Sequence, residues 1–221
     1  QASDATATDY FGHSVSVSGN TVVVGARFDD DGGRNSGSAY VFVRSGTTWT
    51  QQAKLTASDA QADDNFGWNV DIDKDHIVVS APWEDTSAND AGAVYVFSRS
   101  GSTWTEIKKI QASNVSAGPQ FGIAVAIENG TVCIGAIYET TYGSQSGAAY
   151  IYGYQKVTNY YITDTGKYSV DATIAGLNYK TNEVEVTGSI TPVKSWNWDT
   201  KTTLRADNAG ADDNFGTSMH I

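Results

Sequence analysis

The sequence predicts an all-β fold of stacked four-stranded units, and three observations carry that prediction. Phe11-Gly12, Phe66-Gly67 and Phe121-Gly122 recur at intervals of 55 residues, and Phe215-Gly216 follows after 94, which is 55 plus 39. Other positions keep the register: Trp49, Trp104 and Trp198 each stand 17 residues before the next Phe, and Tyr40, Tyr95 and Tyr150 are 55 apart. Within each period the apolar residues alternate or run in short blocks, with no helical signal. A fixed period of this length marks stacked supersecondary units.

The second unit shows why each element forms. Phe66 to Ile72 alternates apolar and polar at Trp68, Val70 and Ile72, the pattern of a half-buried strand. Lys74-Asp75 supplies a turn, as do Gly19-Asn20 and Asn129-Gly130 in the sister units. Ile77 to Ala81 is a short apolar run suited to a strand buried on both faces. A loop from Pro82 to Ala91 leads to a third strand, Ala93 to Phe97, and Ser100-Gly101-Ser102 turns it into a fourth, Thr103 to Ile110. Four antiparallel strands per unit, repeated, describe β-propeller blades.

Phe11-Gly12 through Val24-Gly25-Ala26, Phe66-Gly67 with Ser80-Ala81-Pro82, and Phe121-Gly122 with Gly135-Ala136 resemble FG-GAP repeats, the blade unit of integrin-α-type propellers. The Tyr-Val-Phe and Trp-Thr strands resemble the variant found in bacterial and viral surface proteins. Integrin-type blades bind calcium in an Asp-x-Asp-x-Asp-Gly loop between their first two strands. Here Ser18-Gly19-Asn20 or Asp73-Lys74-Asp75 occupies that place, with no room for such a cage.

Three units and the first strand of a fourth, Phe215 to Ile221, are an odd total, since closed propellers have about 4 to 8 blades. The favoured expectation is a segment of a larger assembly with apolar end faces. The organisation reads as blades over residues 1–154, an insertion over 155–194, and the end of the third blade with the start of a fourth over 195–221. The insertion fits an extended β-hairpin. Its Asp164-Thr165-Gly166-Lys167-Tyr168 also resembles the tyrosine corner of an immunoglobulin-like sandwich, so a partial module of that kind stays open.

Composition narrows the function. Lys plus Arg total 14 against 25 Asp plus Glu, a net charge of −11, which repels phosphate backbones and argues against nucleic acid as a partner. No apolar run approaches the ~18 residues of a spanning helix, so membrane insertion is not expected. Cys133 is a lone cysteine aligned with Val23 and Val78, and reads as a small core residue.

Asp29-Asp30-Asp31-Gly32 stands in the loop after the second strand, aligned with Glu84-Asp85 and Glu139. Clustered carboxylates are hard oxygen ligands of the kind calcium takes, so Asp29, Asp30 and Asp31 are the candidate metal residues, against a simple solvated acidic loop. Asp63-Asp64-Asn65 is expected to cap a turn. His13, His76 and His220 fall at non-equivalent positions, no Gly-x-Ser-x-Gly elbow is present, and no catalytic residue is nominated. The periodic tryptophans are expected to pack the outer strand. Phe28, Trp83 and Tyr138 share one loop position, either under the loop or on a binding face.

The expectation for function is a non-enzymatic structural or adhesive module of an extracellular, cell-surface or virion protein. Its partners would be protein or glycan ligands, or neighbouring subunits. The alternative is an accessory domain of a larger secreted enzyme.

Overall fold

The computed structural model describes residues 2–87, 91–112, 118, 120–140, 145–161, 166–168, 171–174, 177–180, 184–186 and 191–204, with side chains described as far as Gly153. Every regular element among them is a strand, and among them no helix is long and apolar enough to cross a membrane. The chain divides into two compact units, residues 1–154 with 199–221, and residues 155–198.

The first blade comprises β1 (Phe11–Ser18), β2 (Thr21–Ala26), β3 (Ser38–Ser45) and β4 (Thr48–Leu55), hydrogen-bonded in that order. The second repeats it with β5 (Val70–Asp73), β6 (His76–Ala81), β7 (Ala93–Ser100) and β8 (Thr103–Ile110). The third sheet holds β9 (Val125–Glu128), β10 (Thr131–Ala136), β11 (Ala148–Tyr161) and, as its outer strand, β16 (Thr191–Leu204). Each innermost hairpin closes through the two-residue turn the sequence predicts, with Ser18 opposite Thr21 and Asp73 opposite His76. A bulge at Gln52 recurs at Ile107, where Val41 faces Ala53 but Phe42 faces Gln51, and Val96 faces Lys108 but Phe97 faces Glu106.

In the inserted unit, β12 (Gly166–Tyr168) pairs with β15 (Val184–Val186), and β13 (Asp171–Ile174) with β14 (Leu177–Lys180). Along the chain the second pair lies between the strands of the first. Residues 205–221, with the expected first strand of a fourth unit, lie outside the described residues.

Polar side chains tie each inner strand to the backbone of the next, 56 residues further on. The backbone N–H of Val70 donates to Ser14 Oγ at 3.1 Å and that of Lys74 to Ser18 Oγ at 3.0 Å. The second junction has the same logic: Ile127 N–H donates to Asp71 and Asn129 N–H to Asp73, at 2.7 and 2.8 Å. Because residues alternate along a strand, Val70 and Ile72 point the opposite way, into a core with Val23, Ala39, Val41 and Leu55 of the first blade.

The Phe-Gly pair is the hinge of this packing. Phe66 is fully buried, and its N–H donates to Ser36 of the preceding blade at 2.9 Å. Gly37 lies against it with φ +84°, and a Cβ there would stand 1.9 Å from the Phe66 carbonyl oxygen. Close backbone approach and left-handed φ together demand glycine. In the second unit the expected first strand from Phe66 is shortened: Phe66 bridges to Gly37 of the preceding blade, Gly67 and Asn69 bond to Ser80 of their own blade, and the ladder starts at Val70.

Two packing expectations need correction. Trp49 is 43% exposed, with Arg44 laid over its ring, whereas Trp104 packs against the core and donates from Nε1 to Gln52 at 2.9 Å. Trp104 thus has the first blade to lie on, and Trp49 has no described blade before it. Cys133 is half-buried, while Val23 and Val78 at its register are fully buried. The side chain of Trp198 lies outside the described residues.

Candidate functional site

The acidic loop after β2 folds inward onto a lysine. Asp29 is 3% exposed and accepts hydrogen bonds from Tyr40 Oη at 2.7 Å, Ser38 Oγ at 3.0 Å and Lys54 Nζ at 3.0 Å. Lys54 also pairs with Asp4 at 2.8 Å and with Asp31. The carboxylates of Asp4, Asp29 and Asp31 therefore converge, and the ammonium of Lys54 binds all three. Asp30 takes no part in that convergence; its carboxylate accepts from Asn35 N–H at 2.7 Å and shapes the loop.

The second blade repeats the arrangement. Lys109 binds Asp59 at 2.6 Å and the fully buried Glu84 at 2.8 Å, and Tyr95 donates to Asp59 at 2.8 Å. In the third, Glu139 and Tyr150 are kept and buried, but Asn114 and Thr203 stand where the earlier units have aspartate and lysine.

Electrostatics follow from burial against pairing. Burial opposes ionisation of Asp29, yet the Tyr40 hydroxyl and the Lys54 ammonium outweigh it and hold the carboxyl below its usual value. Asp59 and Glu84 are lowered in the same way, against burial, chiefly by Lys109. Burial works against the charge on Lys54 as well, but its partners, Asp31 and Asp4 foremost, raise its pKa. Asp64 has no such cation among the described residues, and burial first, then the field of Glu84 and other carboxylates, pushes it up to about 6.

Calcium takes 6 to 8 oxygen ligands. Here three carboxylates already converge on an ammonium that supplies the compensating charge. As arranged, the three carboxylates are engaged by the lysine ammonium. Of Asp29, Asp30 and Asp31, the structure brings Asp29 and Asp31 together and adds Asp4. The sequence reading missed Asp4, Tyr40 and Lys54, although the signal was present: Asp4 and Asp59, Tyr40 and Tyr95, and Lys54 and Lys109 are each 55 apart.

Asp63-Asp64-Asn65 serves the turn before the Phe-Gly pair: Asp64 accepts from Gln61 N–H at 2.7 Å, and Asp63 binds Arg34 at 2.5 Å. His13 engages the Trp68 carbonyl oxygen through Nδ1 at 2.8 Å. His220 lies outside the described residues.

A second constellation joins the first two blades. Arg27, just past the end of β2, has its guanidinium carbon 4.0 Å from the Phe28 ring centroid, 4.4 Å from that of Trp68 and 5.4 Å from that of Tyr10. The rings continue outward, with Tyr10 on Phe28 at 4.9 Å and Trp68 edge-on to Trp83 at 4.4 Å. Tyr10 is 53% exposed, so the cluster reaches solvent. Arg34, Arg44 and Arg99 each bind a side-chain oxygen, but Arg27 Nε is buried without a hydrogen-bond partner among the described residues. Its register mates are Pro82 and Ile137, so this charge belongs to one loop only.

Blades of this topology, with a Phe-Gly contact at each junction, define a repeat-built propeller scaffold. The FG-GAP repeat model matches residues 1–42, 49–97 and 104–152, more than half of the chain, and the protein belongs to that family. No curated protein matches it.

Proposed function

We propose that the protein is a non-enzymatic recognition module of an extracellular, cell-surface or virion protein, adhesive or structural in role. Its ligand is a protein or glycan, or a neighbouring subunit of a larger assembly. The observation that carries this reading is Arg27 among Tyr10, Phe28 and Trp68. Aromatic residues and arginine dominate the energetics of recognition surfaces, and here a cation with no carboxylate partner among the described residues lies in a half-exposed aromatic cluster of an otherwise acidic chain. Family membership supports the same reading, because repeated strands with divergent loops suit recognition.

For the metal, we propose Lys54 as the resident cation of the Asp4, Asp29 and Asp31 cluster. Calcium binding at these carboxylates then requires removal of the lysine.

The test of the recognition reading is an array of glycans and extracellular proteins probed with the chain and with Arg27→Ala and Trp68→Ala variants. Expected is binding that each variant weakens by tenfold or more with the fold intact. No binding, or binding indifferent to both substitutions, overturns the reading.

A further inference from the structure

We infer, resting on that recognition role, that the Arg27 cluster takes a glycan end whose sugar bears one carboxylate, the guanidinium meeting the carboxylate and the surrounding rings the sugar.

The cation comes first. Arg27 lies against Phe28 and Trp68, its guanidinium carbon 4.0 and 4.4 Å from their ring centroids, and its Nε is buried without a hydrogen-bond partner among the described residues. A buried donor left unmet calls for an acceptor from elsewhere. The carboxylates beside it are committed to other groups. Asp9, whose carbonyl oxygen accepts from Phe28 N–H, takes Thr6 N–H and Thr6 Oγ1 on its side chain at 2.7 and 2.6 Å. Asp29 and Asp31 face Lys54, and Asp30 accepts from Asn35 N–H. Pro82 and Ile137 at the same register show that a blade closes without a cation here. A planar carboxylate meets two guanidinium N–H groups at once, which makes it the anion that arginine selects best.

Charge decides how many anionic groups the ligand carries. The chain has a net charge of −11, and Asp30 and Asp31 stand exposed on the same loop as Arg27. That field repels sulfated polysaccharides and acidic peptides with several charges, while a single carboxylate reaches its cation at short range.

The rings and His13 favour a sugar. Phe28, Trp68 and Trp83 are each half-buried and so keep apolar surface in solvent beside the cation, where the carbon-bound hydrogens of a pyranose can pack. The exposed His13 ring lies 4.8 Å from Trp68, and its Nδ1 engages the Trp68 carbonyl oxygen at 2.8 Å. A carbonyl oxygen only accepts, so Nδ1 carries the proton and the neutral ring presents Nε2 as an acceptor, a match for a sugar hydroxyl. Burial, with the Arg27 charge, holds His13 below its usual value, so the ring is neutral at pH 7.

Titration calorimetry of the 221-residue chain with oligosaccharides ending in sialic or uronic acid, each paired with its carboxyl methyl ester, tests this. Expected is binding of an acid-ended member that esterification weakens at least tenfold. Arg27→Gln should abolish that preference, and Lys108→Gln, which removes the same charge at an exposed site of β8, should keep it. The comparison of acid with ester needs only the wild-type chain, so it decides whether or not the Arg27 variant folds. Equal binding of acid and ester, a preference that survives Arg27→Gln, or binding of acidic peptides in place of sugars overturns the proposal. The recognition role outlives those results where Arg27→Ala and Trp68→Ala still weaken binding of another ligand. It falls together with the proposal if nothing on the array of glycans and proteins binds.

Discussion

Lys54 decides the chemistry of its loop, because one ammonium meets three carboxylates that would otherwise repel one another. Replacing it with methionine leaves Asp29 buried without its cation, at a cost of about 3 kcal/mol. In a chain of this size that lowers the melting temperature by several degrees. The pH window has a definite sign. Asp4 and Asp29 have lowered pKa values, so their contribution is complete above the unfolded value near 4 and is lost as pH falls through the folded values. Lys54 has a raised pKa, so its contribution is complete below about 10.4 and is lost as pH rises through the folded value. The gap between wild type and Lys54→Met is therefore expected to be constant from about pH 5 to 10 and to shrink below pH 4. Calorimetry at millimolar calcium should leave the wild type unmoved and raise the melting temperature of the variant. A calcium-stabilised wild type would show that the lysine is not the resident cation.

At the scale of the element, the strands were legible because period-2 alternation and turn chemistry are local properties. Lys74-Asp75 and Gly19-Asn20 specify hairpins whatever surrounds them. The roles of Trp49 and Lys54 were not legible in the same way, since both depend on which neighbour lies alongside. Trp49 and Trp104 share one sequence environment and differ only in having a blade to pack on. The acidic loop reads as a metal ligand set until the fourth strand, 23 to 25 residues further on, brings in its lysine. Asp30, read as a ligand, turns to cap the loop instead, a choice made by the backbone path from Gly32 to Asn35. The junction elements also make a prediction. Gly37→Ala places a Cβ against the Phe66 carbonyl at positive φ, so it should cost about 3 kcal/mol or more. Gly46→Ala, at φ +61° in an open turn, should cost less. Denaturant melts compare the two directly, and equal losses would mean that the Phe-Gly contact is not tight.

Over the whole molecule, repetition separates scaffold from surface. The inner strands, the Phe-Gly contacts and the lysine clusters recur in the first two blades with little change, while Arg27, Pro82 and Ile137 differ at one register position. The central claim, that recognition resides in these loops, is tested most directly by exchange. Residues 27–36 are replaced by the sequence of residues 82–91, which has the same length, and binding to the array ligands is measured beside thermal stability. The account predicts a melting temperature within a few degrees of wild type and loss of the wild-type binding pattern. Binding that survives the exchange unchanged would contradict it.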